Sequence, residues 1–494
     1  MAFWLVGGVG RAADVETLQQ AGPADKRFNI AVLGDGYRTS DQTKLTADAK
    51  AIITYLFGVT PLRQYAQFFN VKLVHVVSND DGADNGTYGA TRDTALGAYF
   101  NCDGIDRLLC VDDGKAAMAA AADVPEYNFA IVLVNDPKYG GSGGPVCASS
   151  SNAQSFEVLA HEIGHSLAHL ADEYSYEGNQ PPCSQARDCP EANATLRSVR
   201  EQIKWQDWID AVTPIPTPAT QQNGALVGLF EGARYTPTGV YRPQLNCKMR
   251  DLGADYCSVC TEQFVKSIWT SDNIQMIESA TPAGPAVDSA TCDPIALGVT
   301  TPPITPSTYR FAWSVDGKMQ AETSSAIQLL PSVLMAGDHQ VDLAIEDATA
   351  MVRTDPNAVL KDTFSWTVSV AKNDCAVAAG GGAVGGAAGA GGAAAGVAGV
   401  AGGGGVGGAG GSAGATVGGA VATAGAVSLA GAPNGTAGSE VVMPSAGAPP
   451  PPETQGCGCA LPGGPIPHDA AALASLALAF TIQFGRRRRV LRPA

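Results

Sequence analysis

The stretch "HEIGHSLAHLADEY", His161 to Tyr174, decides how this chain is read. It holds three of the chain's six histidines, and two acids, Asp172 and Glu173, close it. At about 100° per residue, Phe156, Leu159, Ile163, Leu167 and Leu170 form a narrow apolar stripe. That stripe predicts a helix with one face on a core. His161 and His165 lie together on the opposite side, so one helical turn brings both imidazoles to a single ion. Glu162 lies beside them. This HExxH spacing supplies two zinc ligands and a glutamate positioned to take a proton from water at the metal. The bland alternative is a core helix with solvated histidines. The scarcity of histidine, the glutamate and the clean apolar stripe all count against it.

A catalytic zinc takes a third protein ligand and keeps an open position for water. His169, Asp172 and Glu173 are the nearby candidates. Asp172 is nearly in register with the histidine pair, but on a straight helix it sits about 10 Å further along the axis from His165. A zinc bond is only about 2 Å long. If Asp172 is the ligand, the helix must break between Leu167 and Asp172. In the metzincin pattern a glycine makes that break. No glycine lies between His165 and Asp172 here. His169 has to supply the turn, and histidine tolerates positive φ better than most residues. The alternative is a longer helix with a ligand from a distant segment.

Around this stretch, residues from about Arg27 to Thr270 read as one α/β unit. "FNIAVLGDGY", "FFNVKLVHVVS" and "YNFAIVLVND" are apolar runs of strand type. "SDQTKLTADAKAIITYLF" opens at a cap, Ser40 or Asp41, and spaces Leu45, Ala49, Ile52 and Leu56 as a helix does. Strands and helices alternate, as in a mixed sheet with helices packed on it. From about Thr281 the pattern becomes alternating, with turn residues between "YRFAWSVDG", "HQVDLAIED" and "DTFSWTVSV". That predicts an all-β sandwich of immunoglobulin-like type, bracketed by Cys292 and Cys375, which could close it as a disulfide. From Ala376 to about Gly456 the chain is glycine, alanine and valine, then "APPPPE", which reads as a linker with a stiffer proline end.

With the motifs on the page, the resemblance is specific. "HEIGHSLAHLADEY", "FNIAVLGDGY", "YGGSGG", "GLFEGARY", "VYRPQLNCKMR" and "YCSVC" resemble, in order, the landmarks of the immunoglobulin-A peptidase family of zinc metallopeptidases. The resemblance covers roughly Arg27 to Phe264 and implies an α/β zincin-like fold and a zinc-dependent endopeptidase acting on protein or peptide. His161 and His165 match its zinc ligands, Glu162 its catalytic base and Asp172 the aspartate taken as third ligand, with Glu173 as the alternative. The family commonly has glycine where this chain has His169. Metzincins also place a methionine turn beneath the zinc histidines, and Met249 of "NCKMR" is the candidate. Tyr235, Tyr241, Arg234 and Arg242 are candidates for oxyanion support.

Other signals bound the setting. The formal net charge of -16 argues against nucleic acid, because phosphate binding needs a basic face. "MAFWLVGGVGRAADVET" reads as the tail of a signal peptide. At the other end, "GCGCALPGG", an apolar segment and "GRRRRVLR" resemble the myxobacterial C-terminal sorting tag (MYXO-CTERM). That resemblance implies export to the cell surface through membrane or sorting machinery, with processing near Cys457 or Cys459. The apolar segment, Ala470 to Phe484, is shorter than the roughly 20 residues that span a bilayer. In an exported protein the close cysteine pairs Cys102/Cys110, Cys183/Cys189 and Cys257/Cys260 suggest disulfides. The expected segments are a leader over 1–24, a metallopeptidase domain over 25–275, a sandwich over 280–375, a linker over 376–456 and a tag over 457–494.

Two further motifs fall short of a site. "GGSGG", Gly140 to Gly144, matches G-x-S-x-G, but Pro145 follows and no helix starts at once, as a serine nucleophile requires. A loop or substrate-side rim fits better. "SNDDGADNGTYG" fails calcium-loop spacing at Ala83, and no glutamate closes it. The competing functional class is a non-enzymatic adhesion or binding protein on the same scaffold, which an intact His161, Glu162 and His165 disfavour.

Overall fold

The computed structural model describes residues 14–85, 89–179, 183–289 and 291–371. The expected linker and C-terminal tag, and Cys375, lie outside the described residues. Among the described residues no helix is long and apolar enough to cross a membrane.

The architecture is mixed α/β. In chain order the first part contains β1 (Asp14–Gln19), β2 (Phe28–Asp35), α1 (Gln42–Leu56) and β3 (Phe69–His75). The hairpin β4 (Tyr99–Phe100) and β5 (Leu109–Cys110) follows, then α2 (Asp113–Asp123) and β6 (Phe129–Val134). Next come β7 (Gly141–Ser142), β8 (Val146–Ser150) and α3 (Ser155–Ala168). Six of these strands form one sheet in the order β1-β3-β2-β6-β8-β7. β2, β3, β6 and β8 run parallel, and β1 and β7 are antiparallel edges. The sequence reading assigns residues 14–19 to the leader. They form β1, paired Asp14↔His75 through Gln19↔Val71, so the sheet begins upstream of residue 25.

β2 is buried from Asn29 to Asp35 because both sheet faces are covered. Successive side chains point to opposite faces. Ile30 and Val32 share a core with Leu45, Ala49 and Ile52 of α1 and with Leu159 and Ile163 of α3. Ala31 and Leu33 share the other with Ala116 and Ala120 of α2. α1 buries the expected Leu45, Ala49, Ile52 and Leu56.

Beyond α3 the chain runs through loops and short 3-10 turns to the hairpin β9 (Phe230–Ala233) and β10 (Thr236–Arg242). It then reaches α4 (Ser258–Trp269), whose buried face includes Val259, Phe264 and Val265.

Eight further strands follow: β11 (Ser279–Thr281), β12 (Ala286–Ser289), β13 (Ile295–Thr300), β14 (Tyr309–Val315), β15 (Lys318–Met319), β16 (Ala326–Leu329), β17 (Gly337–Asp347) and β18 (Lys361–Val370). They form a three-stranded sheet, β11-β13-β16, and a five-stranded sheet, β12-β18-β17-β14-β15. β17 buries Val341, Leu343 and Ile345 in alternation, and Trp313 stacks on Trp366 with centroids 5.6 Å apart. This part is tied to the first through Asp347, which accepts from Tyr65 Oη at 2.6 Å and Trp269 Nε1 at 2.9 Å.

Cys102–Cys110 and Cys183–Cys189 are disulfides, and Cys292 is disulfide-bonded. The expected crosslink at "CSVC" is corrected: Cys257 and Cys260 remain thiols. They are gathered with a third thiol, Cys247, and with the Glu173 carboxylate.

Candidate active site

α3 ends where the chain needs to turn. His169 caps it with φ 52° and ψ 42°, in the left-handed region, and its amide donates to the His165 carbonyl at 3.0 Å. The Leu170 amide then reaches the Gly164 carbonyl at 3.1 Å. The His169 bond is the αL type of helix C-cap, made here without glycine. Leu170, expected on the helical stripe, lies beyond the helix and is still buried. Because the helix stops here, Asp172 returns to the histidine pair instead of continuing along the axis.

His161, His165 and Asp172 converge. His161 Nε2 lies 2.9 Å from Asp172 Oδ1 and 3.1 Å from His165 Nε2. His165 Nε2 is 3.2 Å from the same carboxylate oxygen. Ligands about 2.0 Å from a tetrahedral ion stand about 3.3 Å from one another, so the triangle has the size of a metal site.

The tautomers agree with that geometry. His161 Nδ1 lies 2.8 Å from the Lys248 carbonyl, and His165 Nδ1 lies 2.6 Å from the Leu170 carbonyl. A carbonyl only accepts, so in each neutral ring Nδ1 carries the proton and Nε2 presents a lone pair. A cation there would meet two such lone pairs and a carboxylate oxygen, whereas without one Asp172 favours protonated rings that donate to it. Burial opposes charge on His165, but Asp172 outweighs it and raises the imidazole to about 9. Burial would raise Asp172, yet the two histidines hold its carboxyl far below the usual range.

The support is built from distant segments. Arg234 and Tyr235 form the two-residue tip of the β9–β10 hairpin, with φ of 50° and 64°. Positive φ at both central positions is the requirement of a type I′ turn, normally met by asparagine and glycine. The tip pairs with the segment after α3: the Arg234 amide donates to Asp172 O at 2.8 Å and the Tyr235 amide to Tyr174 O at 2.9 Å. The Tyr235 hydroxyl donates to Asp172 Oδ2. Beneath the helix, Met249 is fully buried, and a Cβ on Gly164 would stand 2.6 Å from its sulfur. Lys248, whose carbonyl holds His161, is anchored by Glu157 Oε2 at 2.7 Å from its Nζ.

The remaining candidates lie elsewhere. Glu173 turns away from the histidines, and its Oε1 accepts from Asn193 Nδ2 at 2.9 Å. Arg234 pairs with Glu191 at 3.2 Å, and Arg242 Nη1 donates to the Glu231 carbonyl at 2.7 Å. Tyr241 pairs through its backbone with Thr195 and packs on the main core. The acidic loop spends Asp80 Oδ2 on the Asp93 amide at 2.8 Å.

Two contributions escape the sequence reading. Tyr174 stacks on His161 with centroids 6.3 Å apart and meets Tyr176 and Tyr235 edge-on at 5.6 and 5.3 Å. The signal was the period-2 run "YSY" directly after the acids. Gly143 backs onto the site: a Cβ there would overlap Glu162 Oε2. Ser142, in the middle of "GGSGG", spends its hydroxyl on the Leu109 carbonyl at 2.6 Å. Burial, partly offset by both histidines, raises the Glu162 carboxyl above its ordinary range.

A family model described as IgA Peptidase M64 matches residues 16–225 and 219–268, just over half of the chain. No curated protein matches the chain. Among solved structures, it is similar to the fibronectin(III)-like modules of Clostridium thermocellum CbhA, at 13% identity over 20% of this chain and 98% of that one, with a TM-score of 0.14. It is also similar to Bacteroides ovatus SGBP-B in complex with mixed-linkage heptasaccharide, at 18% identity over 18% of this chain and 20% of that one, with a TM-score of 0.13. A third similarity is to the endo-beta-1,4-mannanase from Thermotoga petrophila, at 10% identity over 70% of this chain and 65% of that one, with a TM-score of 0.14.

Proposed function

The chain belongs to the IgA peptidase M64 family, and from that premise we propose that it is an exported zinc-dependent endopeptidase of zincin type. The observation that carries the reading is the convergence of His161 Nε2, His165 Nε2 and Asp172 Oδ1, with both Nδ1 atoms held by carbonyls. These three residues would hold the ion. Bound there, zinc would supply Lewis acidity toward water and the scissile carbonyl. Glu162 takes a proton from the attacking water on its carboxylate and delivers it to the leaving amine. Tyr235 fixes the orientation of Asp172, and Met249 forms the floor under α3.

The wider organisation follows the same proposal. Residues 14–275 form the peptidase domain, and 280–375 an immunoglobulin-like sandwich acting as spacer or docking module. Residues 376–456 are the tether, and 457–494 a surface-sorting tag. The disulfides Cys102–Cys110 and Cys183–Cys189 support an extracellular setting.

The test is Glu162→Ala in the full chain, assayed on casein and on a proteome-derived peptide pool. The variant should keep its zinc and lose nearly all cleavage. Cleavage that survives in the variant, or in chelator-stripped protein, overturns the reading. Stoichiometric zinc without any cleavage by the unaltered chain favours a binding protein on this scaffold.

A further inference from the structure

A second group of ligand-type side chains lies beside the active site. Glu173, Cys247, Cys257 and Cys260 are all buried, and each offers a ligand atom within 4.8 Å of the others. Cys247 Sγ is 3.6 Å from Cys260 Sγ, and Cys260 Sγ is 3.3 Å from Glu173 Oε1. A tetrahedral ion with sulfur at about 2.3 Å and oxygen at about 2.0 Å separates two sulfurs by about 3.8 Å and sulfur from oxygen by about 3.5 Å. The cluster is within a few tenths of an ångström of both.

Burial opposes charge on the Cys257 thiol, but hydrogen bonds from Cys247 and Cys260 lower it. Burial pushes the Cys247 and Cys260 thiols up, so thiolates at those two need a cation. Cys257 is the N-cap of α4, and its sulfur accepts from the Cys260 amide at 3.4 Å. The Cys257 amide donates to Cys247 Sγ at 3.2 Å. Backbone donors and a helix N-terminus both stabilise negative sulfur. The carboxylate adds an independent sign. Glu173 is fully buried, and its Oε2 has no hydrogen-bond partner. An orphaned buried carboxylate oxygen is costly, and a proton or a cation relieves that cost. Buried Arg242, within electrostatic reach of Glu173 and Cys247, offsets the surplus negative charge of the set.

We propose that Cys247, Cys257, Cys260 and Glu173 form a second, structural metal centre that holds one zinc ion. Three thiolates select zinc over harder cations, and four buried protein ligands close the site. The centre also explains how neighbouring acids divide their work. Asp172 faces the histidines, while Glu173 faces the thiols and its amide donates to Met249 O at 2.7 Å. The second ion thereby pins the turn that brings Asp172 home. The proposal goes beyond the peptidase reading and does not depend on it.

The experiment measures metal per chain by native mass spectrometry, and absorption after cobalt substitution, on the full chain. The unaltered chain should hold two zinc ions. His161→Ala/His165→Ala should keep one, and its cobalt form should show thiolate-to-metal charge-transfer absorption. Cys257→Ser/Cys260→Ser should lose that absorption. The histidine variant keeps the test decisive even if the cysteine variant fails to fold. A histidine variant without stoichiometric metal, a cobalt form without thiolate absorption, or a native disulfide among the three cysteines overturns the proposal. Failure of the peptidase reading would look different: two ions bound and no cleavage.

Discussion

The hydroxyl of Tyr235 donates to Asp172 Oδ2, while Oδ1 of the same carboxylate faces both histidines. On the proposed reading, one oxygen serves orientation and the other would meet the ion. Such supporting bonds typically change metal affinity by about 10- to 100-fold. Tyr235→Phe should therefore weaken zinc binding by that factor without unfolding the protein, as read by competition with a graded series of chelators. Unchanged affinity would show that the bond does not position Asp172.

Gly143 makes a different prediction. A side chain there collides with the Glu162 carboxylate and not with His161, His165 or Asp172. Gly143→Ala should cut cleavage by about 100-fold or more, the scale of lost general acid–base catalysis, at unchanged zinc content. Ser142→Ala should retain cleavage within a few-fold. A complete loss in Ser142→Ala with the fold intact would instead revive a serine nucleophile.

His169 is the third test. A left-handed residue costs roughly 1–2 kcal/mol relative to glycine, and β-branched side chains suffer most. His169→Gly should preserve or slightly raise thermal stability and keep zinc. His169→Val should lower stability by about 1–2 kcal/mol and weaken zinc, because the turn that returns Asp172 is strained. Equal behaviour of the two variants would dissociate the turn from the site.

The floor of the helix is the fourth. Gly164 leaves room for the Met249 sulfur, and the Tyr256 ring lies 3.1 Å from the Cβ position. Gly164→Ala should destabilise by roughly 1–3 kcal/mol through overpacking, whereas Met249→Leu should cost less than about 1.5 kcal/mol. Denaturant unfolding of both variants measures the difference.

The parts of the site that were legible are local. HExxH is an i, i+4 pattern, and helix geometry alone places His161 and His165 together. The absence of glycine between His165 and Asp172 implicated His169 in the turn, and its φ of 52° is the backbone that turn needs. Tyr241, Arg234 and Arg242 shared a neighbourhood in sequence with Tyr235, yet they spend their groups elsewhere. A two-residue hairpin tip presents only one of its side chains to Asp172.

The sequence by itself determined the histidine pair, the glutamate beside it, the helix that carries them and the mixed α/β character of the first part. All of these follow from periodicity within a dozen residues. Only the tertiary structure decided that Asp172 and not Glu173 joins the histidines, that Tyr235 steadies it, and that Cys247, Cys257 and Cys260 gather around Glu173 as thiols. The reason is physical. Two of those contacts join residues 63 and 87 positions apart, Tyr235 to Asp172 and Cys260 to Glu173. Their existence depends on how α3, α4 and the β9–β10 hairpin pack, which no local spacing encodes.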